Sequence, residues 1–376
     1  MTNDDYDVIV CGAGVMGAAI ALGLVRLGQR VLALDGSDGD FRAARANFGL
    51  LWVQGKGYGK PDYQALSHEA ADRWPDFAAA LQAQSGVDLQ FEQRGGLQFC
   101  LGDAQMAARA ERIGTWQAQL PGVASCTEMI ERSTLTRMMP DATLGPEVSG
   151  ASFCHRDGQI NPLKLLRALQ GALVAEGGTL VHGAPVSRIT PDSHAGFSVH
   201  VDSRIWRSAK VVIAAGLGSP ALGAMVGLDV PIRPQRGQLL VTERLAPLLP
   251  YPASGLRQTG EGTVMIGVTQ EDVGLDMNTT TAAAAQMSRK ALRVLPALAQ
   301  VRWVRQWSAL RIMTPDGAPV YAQSATHPGA FIALCHSGVT LAPIHAGPVA
   351  AAIVDGALPS SFNFFHHRRF HVSQAA

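Results

Sequence analysis

An α/β fold around a parallel sheet is predicted by three features of this 376-residue sequence. A hydrophobic strand runs into a glycine-rich turn and a helix at the N-terminus, a second strand then stops on Asp35, and a strand-turn-helix pattern returns near the C-terminus. Alternation of this kind covers a parallel sheet with helices on its faces. The length exceeds what one hydrophobic core usually serves, so two intimately packed domains are expected.

Hydrophobic residues make up 47% and charged residues 16%, ample for a large core and far from the balance that keeps chains disordered. Net charge is +1 with no long basic run. That excludes a nucleic-acid footprint and a polybasic membrane patch, and leaves a small molecule, another protein, or both as partners. Five cysteines (Cys11, Cys100, Cys126, Cys154 and Cys335) are scattered, with no CxxC pair. Neither a disulfide framework nor a metal or iron–sulfur site is expected, and reduced thiols suit the cytoplasm. Uncharged stretches at 8–25, 211–228 and 337–354 are each broken by Gly or Pro, and the first follows Asp4, Asp5 and Asp7 where a signal peptide would be positive. They read as buried strand-turn-helix segments, not membrane spans.

Taken in order, the chain opens with a strand over 6–11, a helix over about 15–27 and a strand over 30–34, with Gly28 where a C-terminal cap belongs. Residues 41–60 are glycine-rich and aperiodic, which predicts a loop lying against something. A helix over 61–84 and extended chain over 89–101 follow. Asn161 is placed to cap a helix that begins at Pro162 and runs to about Glu176. Short strands are expected over 179–182, 186–189, 197–201 and 211–214. Strand-like chain covers 238–268, with turns at Pro252 and 260–262. A helix over 281–294, strands over 301–310 and 331–334, and a last helix over 343–355 complete the chain. With no repeat and no clean linker, the second domain is expected to interleave with the first.

The segment VIVCGAGVMG at 8–17 carries Gly12-x-Gly14-x-x-Gly17, with Val15 and Met16 opening the helix. In a Rossmann-type βαβ unit these glycines make the tight turn, let backbone approach a pyrophosphate, and bring helix against strand. The helix N-terminus offers N–H groups to phosphate, and Asp35, followed by Gly36, stands where a ribose hydroxyl is held. This context separates the motif from a glycine turn in some other doubly wound sheet. It does not separate NAD from FAD. Two later segments favour FAD. The strand from Val211 ends in Ala214-Ala215-Gly216, a second close approach of backbone to the cofactor. Residues 335–343 (CHSGVTLAP) form a polar turn between strand and helix, able to aim a helix N-terminus at the pyrimidine end of a flavin, where negative charge develops on reduction.

With RANFG at 45–49, HRDGQINPLKLLRAL from His155, PQRGQLLVTE from Pro234, SGLRQTGEGTVMIGVTQEDVG from Ser254, and WSALRIMTPDGAP at 307–319, these motifs resemble the D-amino acid oxidase superfamily of flavoproteins. The branch is that of glycine and sarcosine oxidases. Within it the chain is similar to β subunits of bacterial dye-linked complexes: opine oxidases, hydroxyproline or proline dehydrogenases, and the glycine-oxidising subunit of hydrogen cyanide synthase. The resemblance implies an FAD-binding domain (1–85, 145–230 and 325–376) interleaved with a substrate domain (86–144 and 231–324) whose antiparallel sheet roofs the flavin.

The same resemblance implies roles for residues. Arg311 matches the arginine that binds a substrate carboxylate, and a guanidinium fork suits a planar carboxylate; the competing reading pairs it with Asp316. Arg45, Asn47, Phe48 and Gly49 belong to the loop along the flavin edge, and Val186 would meet the adenine. Ser337, Gly338, Val339, Thr340 and Leu341 would hold the pyrimidine end. His336 stands near the flavin either to tune charge or touch substrate, or as a hydrogen-bonding spacer. Trp52 and Tyr58 either wall the pocket or simply pack. Arg257, Gln258 and Glu271 are placed to reach it. His366, His367, Arg368 and Arg369 read as a solvated tail.

Two departures matter. The cysteine through which sarcosine oxidases attach flavin falls at about Ala309, so non-covalent FAD is expected. The lysine that oxygen-using sarcosine oxidases, though not all oxidases, place beside flavin falls near Gly267, where Met265 and Ile266 stand. The expectation is therefore a dehydrogenase: hydride leaves the carbon bearing an amine for flavin N5, and water hydrolyses the imine. Electrons would pass to companion subunits carrying an iron–sulfur centre and further flavin. The alternatives are a free-standing oxidase that makes peroxide and a flavin-binding assembly subunit without turnover.

Overall fold

The computed structural model describes residues 5–36, 43–192 and 196–370. Strand Asp5–Cys11 lies in the middle of an eight-stranded sheet, parallel to Val31–Leu34 on one side and to Arg204–Ile213 on the other. Thr179–Val181 and Ala330–Leu334 extend the parallel run outward, and Val320–Gln323 closes one edge antiparallel. Every residue of Ala330–Leu334 and of Val31–Leu34 is buried, as the continuous apolar runs of a doubly covered sheet require. Helix Val15–Arg26 packs on one face against Pro162–Ala175 and the terminal helix.

Asn161 caps its helix as the sequence indicates, its Oδ1 accepting from the Leu163 and Lys164 N–H groups at 3.2 Å. Gly28 follows the first helix with φ of 79°, the left-handed conformation a helix-ending glycine adopts. Three expectations change. The strand expected over 211–214 is the end of a longer one, Arg204–Ile213, whose first half alternates buried and exposed residues and pairs antiparallel with Phe197–Val201. The strand expected over 186–189 is Arg188–Pro191, leaving Val186 free to face a cavity. The last helix contains a π turn at His345–Val349 around Pro348, which has no N–H for the regular ladder.

A four-stranded antiparallel sheet, Leu256–Gln258, Thr263–Gly267, Arg233–Arg244 and Trp303–Met313 in that order, stands over the carboxyl ends of the parallel strands. Helix Thr281–Val294 covers it, capped by the Thr280 hydroxyl. A three-stranded sheet, Gly96–Leu101, Val148–Cys154 and Thr127–Glu131, adjoins it. The helices Asp103–Ala118 and Arg132–Met138 lie next to that sheet, in a stretch for which the sequence reading names no element. Among the described residues no helix is long and apolar enough to cross a membrane.

Candidate active site

A cavity of about 730 Å³ opens where the strands ending at Cys11, Ile213 and Leu334 give out, the crevice in which doubly wound sheets bind ligands. One end is built by the glycine fingerprint. A Cβ on Gly17 would lie 1.9 Å from the Gly12 carbonyl oxygen, so only glycine lets the helix pack this close. Gly14 faces open space, with nothing within 4 Å of where a Cβ would be. The helix that starts there has no side-chain cap and no acidic residue in its first turn. Its N-terminus is thus available to an anion. Asp35 is buried and its Oδ1 accepts from the Ala13 N–H at 3.0 Å. Met16, Gly36, Val186, Ala215 and Gly216 line the same end. The donor set fits an adenine dinucleotide: an uncapped helix end for diphosphate, a fixed carboxylate for a ribose, and glycine where backbone must come close.

The other end is closed by three segments. Asn47, Phe48 and Trp52 enter from the glycine-rich loop, where Asn47 Oδ1 accepts from the Gly49 N–H at 2.7 Å and holds the turn. His336, Ser337, Gly338, Val339 and Thr340 enter from the turn after Ala330–Leu334. Trp74 Nε1 donates to the Thr340 carbonyl at 2.9 Å and Tyr63 hydroxyl meets Ser337 Oγ at 2.7 Å, so the turn is pinned from the helix Pro61–Ser85. Leu341 is buried behind it, its N–H donating to the Ser337 carbonyl. Ala309, Arg311 and Ile312 enter from the roof strand Trp303–Met313.

Arg311 does not pair with Asp316. Asp316 is held by Arg369, at 3.0 and 3.1 Å, and Arg369 also donates to the Ala318 and Pro319 carbonyls. The C-terminal run expected to be a solvated tail is docked here. Arg311 instead lies along Gly237 and donates to the Thr269 carbonyl at 2.8 Å and the Arg236 carbonyl at 3.3 Å. Glu271, whose charge acts on Arg311, is engaged by Arg236, by Gln238 and by the Thr269 hydroxyl. Burial pulls the Arg311 guanidinium below its ordinary range. It remains a cation that lines the cavity and, among the described residues, is hydrogen-bonded to carbonyls alone.

The His336 ring is exposed to the open cavity, and the protein packed around it lowers its pKa to about 3, with the charges of Lys56 and Arg311 adding to the effect. The shift favours the neutral imidazole, whose Nδ1 lies 3.4 Å from Ser337 Oγ. Cys11 and Cys335 also line the cavity, and burial raises both thiols to about 12. Neither is a ready nucleophile, since the thiolate is the reactive form.

Several candidates lie elsewhere. Tyr58 is outside the cavity, with Arg112 over its ring at 4.0 Å. Arg257 is buried beneath Gly49, donating to Met265 Sδ, and burial lowers it to about 10. Gln258 braces the turn at Leu248 and Leu249. Arg45 lies in the short 3-10 turn Ala43–Ala46, and its side chain is outside the described residues. One residue was missed by sequence reasoning. Lys56, from the glycine-rich loop, lines the cavity and donates from Nζ to Ser337 Oγ at 2.8 Å and Thr340 Oγ1 at 3.3 Å. Its position between Gly55 and Gly57, in a loop expected to lie against something, was the available signal.

Comparison with known proteins agrees with this geometry. The model of the FAD-dependent oxidoreductase family (DAO) matches residues 7–352. The chain is 40% identical over 372 residues to an opine oxidase subunit of Agrobacterium tumefaciens, and 38% identical over 371 residues to its counterpart in Rhizobium meliloti; each match covers 99% of both chains. The crystal structure of glycine oxidase from Geobacillus kaustophilus superposes with a TM-score of 0.89 at 24% identity, covering 98% of this chain and 99% of that one. The chain belongs to the DAO family of FAD-dependent oxidoreductases.

Proposed function

We propose, from its membership of that family, that this chain is the substrate-oxidising subunit of a heteromeric dehydrogenase. It would act on the C–N bond of an amino or imino acid: an opine, a hydroxyproline or a glycine-like compound. The observation that carries this reading is Arg311, a cavity-lining guanidinium bonded, among the described residues, only to the Thr269 and Arg236 carbonyls. A half-buried cation in that state is complementary to a carboxylate, and a fork fixes the substrate's plane as well as its place.

Bound FAD supplies the hydride acceptor for this chemistry. The chain's own part is positional. Arg311 orients the carboxylate, while Phe48, Trp52 and Val268 supply apolar walls that exclude water from the reacting carbon. His336 presents a neutral ring that neither repels the substrate amine nor carries a proton to it. Residues 1–85, 145–230 and 325–376 would serve the cofactor, and 86–144 and 231–324 the substrate. Likeness to the two opine oxidase subunits supports a companion subunit as electron acceptor, with the iron–sulfur centre and further flavin residing there.

Anaerobic mixing with glycine, sarcosine, D- and L-proline, hydroxyprolines and opines tests the reading, since a substrate must bleach the flavin. Arg311→Ala should abolish bleaching at ordinary substrate concentration; undiminished bleaching overturns this site. Lys56 favours a second reading, because it places a cation in the cavity although the position near Gly267 has none. In that reading the chain is a stand-alone oxidase. Stoichiometric peroxide formed rapidly by the purified chain would select it over the dehydrogenase.

A further inference from the structure

Lys56 has an environment that its hydrogen bonds alone do not explain. The residue is fixed at both ends: its carbonyl accepts from Trp116 Nε1 at 2.7 Å, its N–H donates to the Val53 carbonyl, and its Nζ reaches two hydroxyls of the turn before the last helix. Those hydroxyls are themselves held. Ser337 Oγ meets the Tyr63 hydroxyl, and Thr340 Oγ1 accepts from the Trp52 N–H at 3.3 Å. Among the described residues no carboxylate is hydrogen-bonded or ion-paired to Nζ. Asp157 acts on it only from a distance, and that carboxyl is engaged by Val53 and Gln54.

Two hydroxyl acceptors satisfy donors but do not balance charge, and a half-buried ammonium with no counter-charge beside it is left partly desolvated and uncompensated. The loop nevertheless delivers this ammonium into the cavity, at the end opposite Asp35 and Val186. A group that becomes negative there would be stabilised by it. The amino-acid carboxylate already has Arg311. The remaining candidate is the ring system of the cofactor, which gains negative charge when reduced.

We propose that Lys56, held by Ser337 and Thr340, is the cation that faces the pyrimidine end of bound FAD and raises its reduction potential. The proposal rests on the reading that the flavin ring occupies the Arg311 and His336 end of the cavity. Ser337 and Thr340 are positioning residues in it, since they act through the ammonium.

The test is a measurement on the FAD-loaded full-length chain with no amino acid present: the midpoint potential, and the affinity for sulfite, an anion that adds to oxidised flavins. Lys56→Met should lower the two-electron equilibrium constant about tenfold, which is about 30 mV, and weaken sulfite binding about tenfold or more. Lys56→Arg, which keeps the charge, should stay within about threefold of the parent. Unchanged potential and sulfite affinity in Lys56→Met overturn the proposal, even if the KM for an amino acid rises, an outcome that would make Lys56 a substrate anchor. If Lys56→Met fails to retain FAD, the double variant Ser337→Ala/Thr340→Val decides. It should shift both quantities in the same direction by a smaller factor, and no shift overturns the proposal. Because neither quantity involves substrate, a failure of every amino acid to bleach the flavin would retire the proposed function while leaving this result to stand or fall on its own.

Discussion

Arg311 lies flat along Gly237 on the neighbouring roof strand: a Cβ at Gly237 would come within 2.6 Å of Arg311 Nη2 and 2.8 Å of its Cζ. The missing side chain is what lets the guanidinium rest on the sheet and reach the Thr269 and Arg236 carbonyls. Gly237→Ala should therefore push Arg311 out of its plane without touching the cofactor. A displacement of about 1 Å in a positioning group can cost about a hundredfold. The expected outcome is a rise in KM of about 10- to 100-fold with an unchanged flavin absorption spectrum, measured by steady-state dye reduction. A variant with parental KM would show that the guanidinium is not held by this contact.

Arg311 itself gives a graded series. Hydrogen bonds to charged groups contribute about 1.5–3 kcal/mol, so Arg311→Ala should weaken binding of a substrate carboxylate by about 10- to 150-fold. Arg311→Lys keeps the charge but loses the fork, and should recover only part of the loss. A carboxylate inhibitor titrated against flavin absorbance reads both variants, and equal affinity in all three proteins would remove Arg311 from the site.

Much of the cofactor end was legible because it is local. Gly12, Gly14, Gly17 and Asp35 fall within 24 residues, and each follows from a strand, a turn or a helix that the sequence announces. Asn161 could be read as a cap for the same reason. The substrate end depends on contacts across the chain. Lys56 acquires its meaning from hydroxyls 281 and 284 positions away, and nothing local marks a loop lysine as facing a cavity. Arg257 and Tyr58 illustrate the converse. Their residue types suit a pocket, but strand direction sends one beneath Gly49, and the loop places the other against Arg112. The pairing of Asp316 with Arg369 in place of Arg311 was likewise invisible until the C-terminal turn was seen to dock.

Asp35 joins the two halves of the fingerprint, since its carboxylate accepts the Ala13 N–H inside the glycine turn. Asp35→Ala leaves that buried donor unsatisfied, at a cost of about 1–3 kcal/mol, and removes the acid that suits a ribose hydroxyl. FAD affinity should fall by about 10- to 100-fold, seen as faster recovery of free-flavin fluorescence on dilution. Asp35→Asn can still accept the hydrogen bond, so it should lose less.

The pH response of the cavity follows from two groups. His336 is held at about 3, so it contributes no change in charge between pH 5 and 8, and His336→Asn should leave the shape of the binding profile unaltered there. Lys56 is lowered from 10.5 to about 8 by burial, against the opposing pull of Cys335 and Asp157. Its positive charge is present below about pH 8 and lost above it. Affinity for sulfite should accordingly decline as pH rises through about 8, and Lys56→Arg should carry the plateau to higher pH. A break near 6.5 that disappears in His336→Asn would contradict this assignment.

Asp157 governs the loop that carries Trp52 and Lys56. Its Oδ1 accepts from the Val53 N–H at 2.5 Å and the Gln54 N–H at 3.3 Å, and its Oδ2 from Gln54 Nε2 at 2.7 Å. These bonds favour the carboxylate, but full burial outweighs them and raises the group from 3.8 to about 7. Between those values the folded chain holds a proton that the unfolded chain has released. The contribution of Asp157 to stability is therefore greatest below about pH 4, declines as pH rises, and is lost by about 7. Asp157→Asn does not titrate. It keeps an acceptor for Val53 but gives up the Gln54 Nε2 bond, so it should be less stable than the parent in acid by about 1 kcal/mol. The difference should then narrow or reverse as pH approaches 8. Thermal melts of both proteins across pH 4–8 measure this, and a constant gap would mean that Asp157 is ionised throughout.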